Sequence, residues 1–116
     1  MKRVLLAEDE AILRVMAEED LADLGCVVTA AGDGEAASAI LASGAEFDVL
    51  VTDIRMPGSI DGWELARRAR AALPEIGIVY VSGYPGETVD PLPSTHFIKK
   101  PYRLAELAAA LTGTPS

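Results

Sequence analysis

Five short apolar runs, separated by stretches with helical periodicity, constrain the fold of this chain more than any other feature. They are Val4-Leu5-Leu6-Ala7, Cys26-Val27-Val28-Thr29-Ala30, Phe47-Asp48-Val49-Leu50-Val51-Thr52, residues 76–81 and Phe97-Ile98. Between them, Leu13, Ala17, Leu21 and Leu24 fall at helical spacing before Gly25, and Ala36, Ala37, Ile40 and Leu41 line a second helix closed by Gly44. Leu65, Ala69, Ala72 and Leu73 mark a third helix, and Leu104, Leu107, Ala108 and Leu111 a last one. The third apolar run is nearly continuous, as expected of a central strand covered on both faces. Alternating strands and helices with short connections imply a parallel sheet with helices on both faces, joined by right-handed crossovers. In such a sheet the binding site lies beyond the carboxyl ends of the strands, where strand order reverses. Residues 83–95 hold Gly83, Pro85, Gly86, Pro91 and Pro93, and are expected to be mostly loop because proline removes amide donors and breaks helices.

At 116 residues the chain fits one domain, 1–116, with enough length to bury a core. Its net charge of −8 argues against nucleic-acid binding, which draws on clustered Lys and Arg. An acidic total fits carboxylates gathered around a cation and scattered solubilising charge equally well. Cys26 is the only cysteine, so no internal disulfide forms, and its apolar neighbours predict a small buried thiol in a reducing compartment. The first apolar run is interrupted by Glu8, Asp9 and Glu10, far short of a signal-peptide core or membrane span. A soluble cytoplasmic protein with no membrane partner is expected.

The strand ends carry the chemistry. Glu8 and Asp9 follow the first strand, Asp53 the third, Ser82 the fourth and Lys100 the fifth. Three carboxylates in one crevice repel each other, so either one takes up a proton or a hard cation such as Mg²⁺ relieves the repulsion. Phosphoryl transfer needs an in-line nucleophile, a metal, and positive or hydrogen-bonding groups on the equatorial oxygens. Each part has a candidate: Asp53 as nucleophile, Asp9 as the main side-chain ligand, Glu8 as an outer partner acting through water, Ser82 as hydroxyl donor and Lys100 as mobile cation.

The stretches Leu5-Leu6-Ala7-Glu8-Asp9, Val51-Thr52-Asp53-Ile54-Arg55-Met56-Pro57, Asp61-Gly62, Val81-Ser82-Gly83 and Phe97-Ile98-Lys99-Lys100-Pro101 together resemble the receiver domain of response regulators, over essentially the whole chain. The resemblance implies a flavodoxin-like, doubly wound five-stranded sheet of order 2-1-3-4-5. It implies phosphorylation of Asp53 by a sensor histidine kinase or phosphotransfer protein, with Mg²⁺ as cofactor, and a switched surface read by a downstream protein. It further implies that the backbone carbonyl of Arg55 is a metal ligand, that Ser82 and Phe97 form the switch, and that the module promotes its own phosphotransfer without being an enzyme in the ordinary sense.

Three features depart from the commonest pattern. Glu8 stands where many members carry Asp, and its extra methylene pushes the carboxylate toward the metal or its water shell. Gly58-Ser59-Ile60 adds about one residue before Asp61-Gly62. The segment between Ser82 and Lys100 is short and proline-rich, which argues for a shortened or missing helix between the fourth and fifth strands. With Val79-Tyr80-Val81-Ser82-Gly83-Tyr84-Pro85 it resembles the mostly single-domain subgroup marked by a Ser/Thr-Gly-x-Tyr-like motif, in which that helix is reduced or mobile; the prolines and glycines of 83–95 predict a loop that phosphorylation orders, and no output domain is expected after Leu111.

Singly, these residues have ordinary readings. An Asp closing a strand is often a helix cap, Glu8 could serve the following helix dipole, and Phe97 could be a core ring as well as a switch. His96, the only histidine, reads as a packing or surface residue, so the donor histidine belongs to another protein. Trp63 and Tyr84 read as packing residues, Tyr84 also as a gate to water. A metal-dependent aspartyl phosphatase ranks second, but needs an acid two residues after the nucleophile, where Arg55 stands. A phosphate-independent docking domain ranks third, against the intact Asp53, Ser82 and Lys100. A dinucleotide site fails because acids occupy the place of a glycine-rich turn.

Overall fold

Val49, Leu50, Val51 and Thr52 are buried on both sides of the sheet, and this near-continuous apolar strand, β3 (Val49–Asp53), forms its centre. The computed structural model describes residues 2–83 and 95–112. In it β3 is flanked by β1 (Arg3–Ala7) and β4 (Gly77–Ser82), with β2 (Val27–Ala31) and β5 (Thr95–Lys99) at the edges. The order is β2-β1-β3-β4-β5 and every pairing is parallel. The described helices are α1 (Ala11–Asp23), α2 (Gly34–Ala42), α3 (Gly62–Ala72) and α4 (Leu104–Thr112). This is a flavodoxin-like doubly wound fold with the strand order that the resemblance implies. Of the expected loop 83–95, Thr95 is instead the first residue of β5, and residues 84–94, with the reduced helix between β4 and β5 and Tyr84, lie outside the described residues.

The two-residue alternation along each strand divides the core. Leu5, Leu50, Ile78 and Tyr80 face one side and pack with α2 and α3 through Ala37, Leu41, Leu65 and Ala69. Val4, Leu6, Val51, Val79 and Val81 face the other side with Ala17 and Leu21 of α1 and Leu107 and Leu111 of α4. Asp33 caps α2 by accepting from the Ala36 amide at 2.7 Å, and Asp61 caps α3 by accepting from the Glu64 amide at 2.9 Å. Each such cap contributes about 1 kcal/mol.

Several expected details shift. In α3 the buried face is Trp63, Leu65, Ala66 and Ala69, while Ala72 is exposed at the helix end. In α4 Ala110 is buried and Leu104 is exposed, because the run Ala108-Ala109-Ala110 offers no polar contrast from which to read a face. Cys26 is half-buried and Val27 exposed, since both lie at or beside the edge strand β2. Burial pushes the Cys26 thiol up, with Lys2 opposing, which agrees with an unreactive cysteine.

Candidate functional site

Register brings the strand ends level. Ala7 pairs with both Ala31 and Thr52, Asp53 with Val81, and Ser82 with Lys99, so the residues that follow β1, β3, β4 and β5 meet along one edge. The Lys100 amide donates to the Ser82 carbonyl at 2.7 Å and continues the last pairing into the site. Gly62 holds α3 against β3: its amide donates to the Ile54 carbonyl at 2.7 Å, and a Cβ there would collide with the Asp53 carbonyl oxygen and Ile54 Cα. Gly62→Ala is therefore expected to destabilise the protein by about 1–3 kcal/mol, read as a lower urea midpoint.

Glu8, Asp9 and Asp53 each offer a carboxylate oxygen within 4.8 Å of the other two. Lys100 Nζ donates to Glu8 Oε1 at 2.8 Å and to Asp53 Oδ2 at 3.1 Å. The second oxygen of the buried Glu8 carboxylate accepts from the Glu10 amide at 3.1 Å. Burial alone would depress the Lys100 ammonium, but its hydrogen bonds and attraction to Glu8 and Asp53 outweigh that, and the net shift is upward. Lys100 thus stays charged, yet it answers only two of three carboxylates. Asp9 makes no hydrogen bond or ion pair among the described residues and lines a crevice with Arg55, Gly58, Asp61 and Trp63. An all-oxygen donor set with excess negative charge fits a hard divalent cation such as Mg²⁺.

Ser82 is buried at the end of β4, beside this cluster. Phe97 lies farther out on β5 and is 47% exposed, so it is not the core ring expected of a strand aromatic. It still packs on Tyr80 and Trp63, with ring centroids 5.0 and 5.8 Å away, and Tyr80 packs on Trp63 at 4.6 Å. Trp63 is buried, as its reading as a packing residue requires. The capping explanation does not hold for Asp53, because Asp61 caps α3.

A second feature escaped the sequence reading. A groove of 320 Å³ runs from Glu8, Asp53 and Lys100 along Leu13, Met16, Val81, Pro101 and Tyr102. Beside it α1 leaves Ile12, Val15 and Met16 exposed at 76%, 52% and 54%. The signal was present in the sequence: these three apolar residues lie off the stripe that Leu13, Ala17, Leu21 and Leu24 define.

Comparison with known proteins agrees with this geometry. Residues 4–112 match the response regulator receiver domain family. The response regulator receiver protein CpdR of Brucella abortus is 35% identical over 111 residues, covering 92% of this chain and 91% of that protein. The sensor kinase CckA of the same organism is 35% identical over 113 residues, 93% of this chain but only 12% of the kinase. A crystal structure of a response regulator receiver protein from Sinorhizobium medicae superposes with a TM-score of 0.90 at 41% identity, covering 96% of this chain and 91% of that one. With the sheet order, the strand-end acids and the lysine in place, the chain belongs to the response regulator receiver domain family, the phosphoacceptor signalling modules of two-component systems.

Proposed function

We propose that Asp53 accepts a phosphoryl group from a phosphohistidine on a sensor histidine kinase or phosphotransfer protein, and that Ser82, Lys100 and Phe97 convert this into a changed protein-binding surface. The convergence of Asp53 and Glu8 on the Lys100 ammonium, beside a third carboxylate, carries the reading. Asp9, Asp53 and the Arg55 carbonyl are the groups that would hold Mg²⁺, with Glu8 acting through water. The bound ion supplies charge neutralisation for an anionic nucleophile meeting an anionic phosphoryl group.

The chain's own residues do the rest. A carboxylate oxygen of Asp53 forms the new O–P bond as the N–P bond of the donor imidazole breaks, and that nitrogen keeps the electron pair and takes up a proton. Lys100, already 3.1 Å from Asp53, moves its ammonium onto a phosphoryl oxygen, and the Ser82 hydroxyl donates to another. Phe97, half-exposed beside Tyr80 and Trp63, turns inward as Ser82 is drawn away, which alters the outer surface of β5 for a downstream partner. In this sense the module promotes its own phosphorylation. No helix among the described residues is long and apolar enough to cross a membrane, and a cytoplasmic location suits a module that meets a kinase. The groove and the exposed face of α1 provide the seat for a helix of the donor protein, because a side chain lying in that groove reaches Asp53.

Acetyl phosphate tests the reading without a kinase. Intact-mass spectrometry is expected to show one added phosphoryl group with Mg²⁺ and none after the ion is chelated. Ion binding is read separately from Trp63, the only tryptophan, which lines the crevice with Asp9. Asp9→Asn is expected to weaken Mg²⁺ binding at least about tenfold. Equal affinity in Asp9→Asn would remove Asp9 from the ligand set.

A further inference from the structure

The crevice beside Asp9 is lined by the segment between β3 and α3, the segment that carries Arg55 and the extra residue near Gly58-Ser59-Ile60. Such a segment leaves the sheet at Asp53 and rejoins the fold only at Gly62. Its inner end is fixed by the Ile54 amide, which donates to the Val81 carbonyl at 3.3 Å, and by the Ile54 carbonyl, which accepts from Gly62. Met56 and Ile60 are buried, but Arg55, Pro57, Gly58 and Ser59 are exposed, so packing alone does not hold the middle.

What holds it comes from another element. Glu35, in the first turn of α2, places Oε2 2.8 Å from the Ser59 amide and 3.2 Å from the Ser59 hydroxyl, and both donate to it. Gly58 has a positive φ of 96°, and a Cβ there would run into the same carboxylate. Glu35 is thus held against the bare backbone of the inserted turn, 24 residues away in sequence. The Ser59 amide is also the foremost cause that keeps the Glu35 carboxyl below its ordinary value. Asp33, the neighbouring acid on α2, is occupied as its cap.

We infer that Glu35 is a positioning residue for the candidate metal site: by clamping Gly58 and Ser59 it fixes the segment that presents the Arg55 carbonyl on the crevice shared with Asp9. This rests on the Mg²⁺ reading above. Glu35 touches neither the ion nor the phosphoryl group, so its effect is on how readily the ion is held. Once Mg²⁺ is saturating, the Asp53 chemistry proceeds at its usual rate.

The test uses the full chain and two readouts. Hydrogen exchange without metal is expected to quicken about five- to tenfold at the Ser59 amide and its neighbours in Glu35→Ala, the scale of one lost hydrogen bond at an exposed site, while the β3 amides keep their protection. Mg²⁺ affinity is expected to fall about three- to tenfold, and acetyl phosphate labelling at saturating Mg²⁺ to stay within about twofold of the parent. Glu35→Gln, which keeps an acceptor oxygen, should restore most of both losses. Unchanged exchange at Ser59 in Glu35→Ala overturns the clamp whatever the ion does. Faster exchange with unchanged Mg²⁺ affinity overturns its role in positioning. A parent protein that takes up no Mg²⁺ would count against the functional reading and overturn this role with it, whereas a parent that binds Mg²⁺ with a Glu35→Ala variant that binds equally well overturns the Glu35 role alone.

Discussion

Asp53→Ala protein exposed to acetyl phosphate and Mg²⁺ is expected to gain no phosphoryl mass under conditions that label the parent, a loss of at least about a hundredfold. Three carboxylates share the site, and their surroundings separate them. Glu8 is buried with one oxygen on Lys100 and the other on the Glu10 amide, so neither is directed at an incoming phosphorus. Asp9 lines the crevice with Arg55, the side suited to a metal. Asp53 stands at the end of the central strand and lines the groove proposed for the donor, with Lys100 beside it to receive negative charge and no other hydrogen bond or ion pair to its carboxylate among the described residues. In the reaction the Asp53 oxygen displaces acetate, the new acyl phosphate stays on the protein, and the phosphoryl oxygens replace Glu8 as the partner of Lys100. Removing the Asp53 carboxylate leaves the metal-binding pair and the cation with no nucleophile between them. Stable labelling of Asp53→Ala, at His96 or at either remaining acid, would sink the assignment.

The parts of this fold that were legible from sequence are those in which one physical demand dominates. A parallel strand buried on both faces must be apolar at every position, so β3 and its terminal Asp53 could be found from Val49-Leu50-Val51-Thr52 alone. Strand-end acids and Lys100 were legible together, because each has an ordinary reading alone but charges after three strands of one parallel sheet meet along a single edge. Features that depend on relative placement were harder. The Glu35 clamp joins residues 24 apart, and nothing in the local sequence distinguishes this glutamate from a helix-favouring first-turn acid. Phe97 reads as core by composition, but β5 is an edge strand, and its outward side lies half open. The partners of the Glu8 carboxylate, the Lys100 ammonium 92 residues away and the Glu10 amide, likewise depend on placement that the local sequence does not show. The exposed face of α1 was less legible, because apolar periodicity marks the buried stripe and not the apolar residues left outside it.

Those leftover residues set the second large effect. Ile12→Ser combined with Val15→Ser is expected to lower phosphotransfer from a histidine kinase by about 30- to 150-fold in kcat/KM, while labelling by acetyl phosphate stays within about twofold. Both side chains project from α1 into water, so their removal opens no cavity and costs the fold little. Burying them under a partner helix would contribute roughly 1–1.5 kcal/mol each, and the sum sets the expected range. A small phosphodonor makes no use of that surface, which separates docking from chemistry in one protein. Glu19 borders the same patch, and with the chain's net charge of −8 it favours a donor with a basic rim, so transfer from the kinase should also slow as salt rises. The kinase used is the one that transfers fastest to the parent among a panel of autophosphorylated histidine kinases. An equal fall with both donors would mean that the substitutions damage the site or the fold. Full retention of kinase transfer would show that the donor approaches Asp53 without α1, and the groove would lose its assigned role.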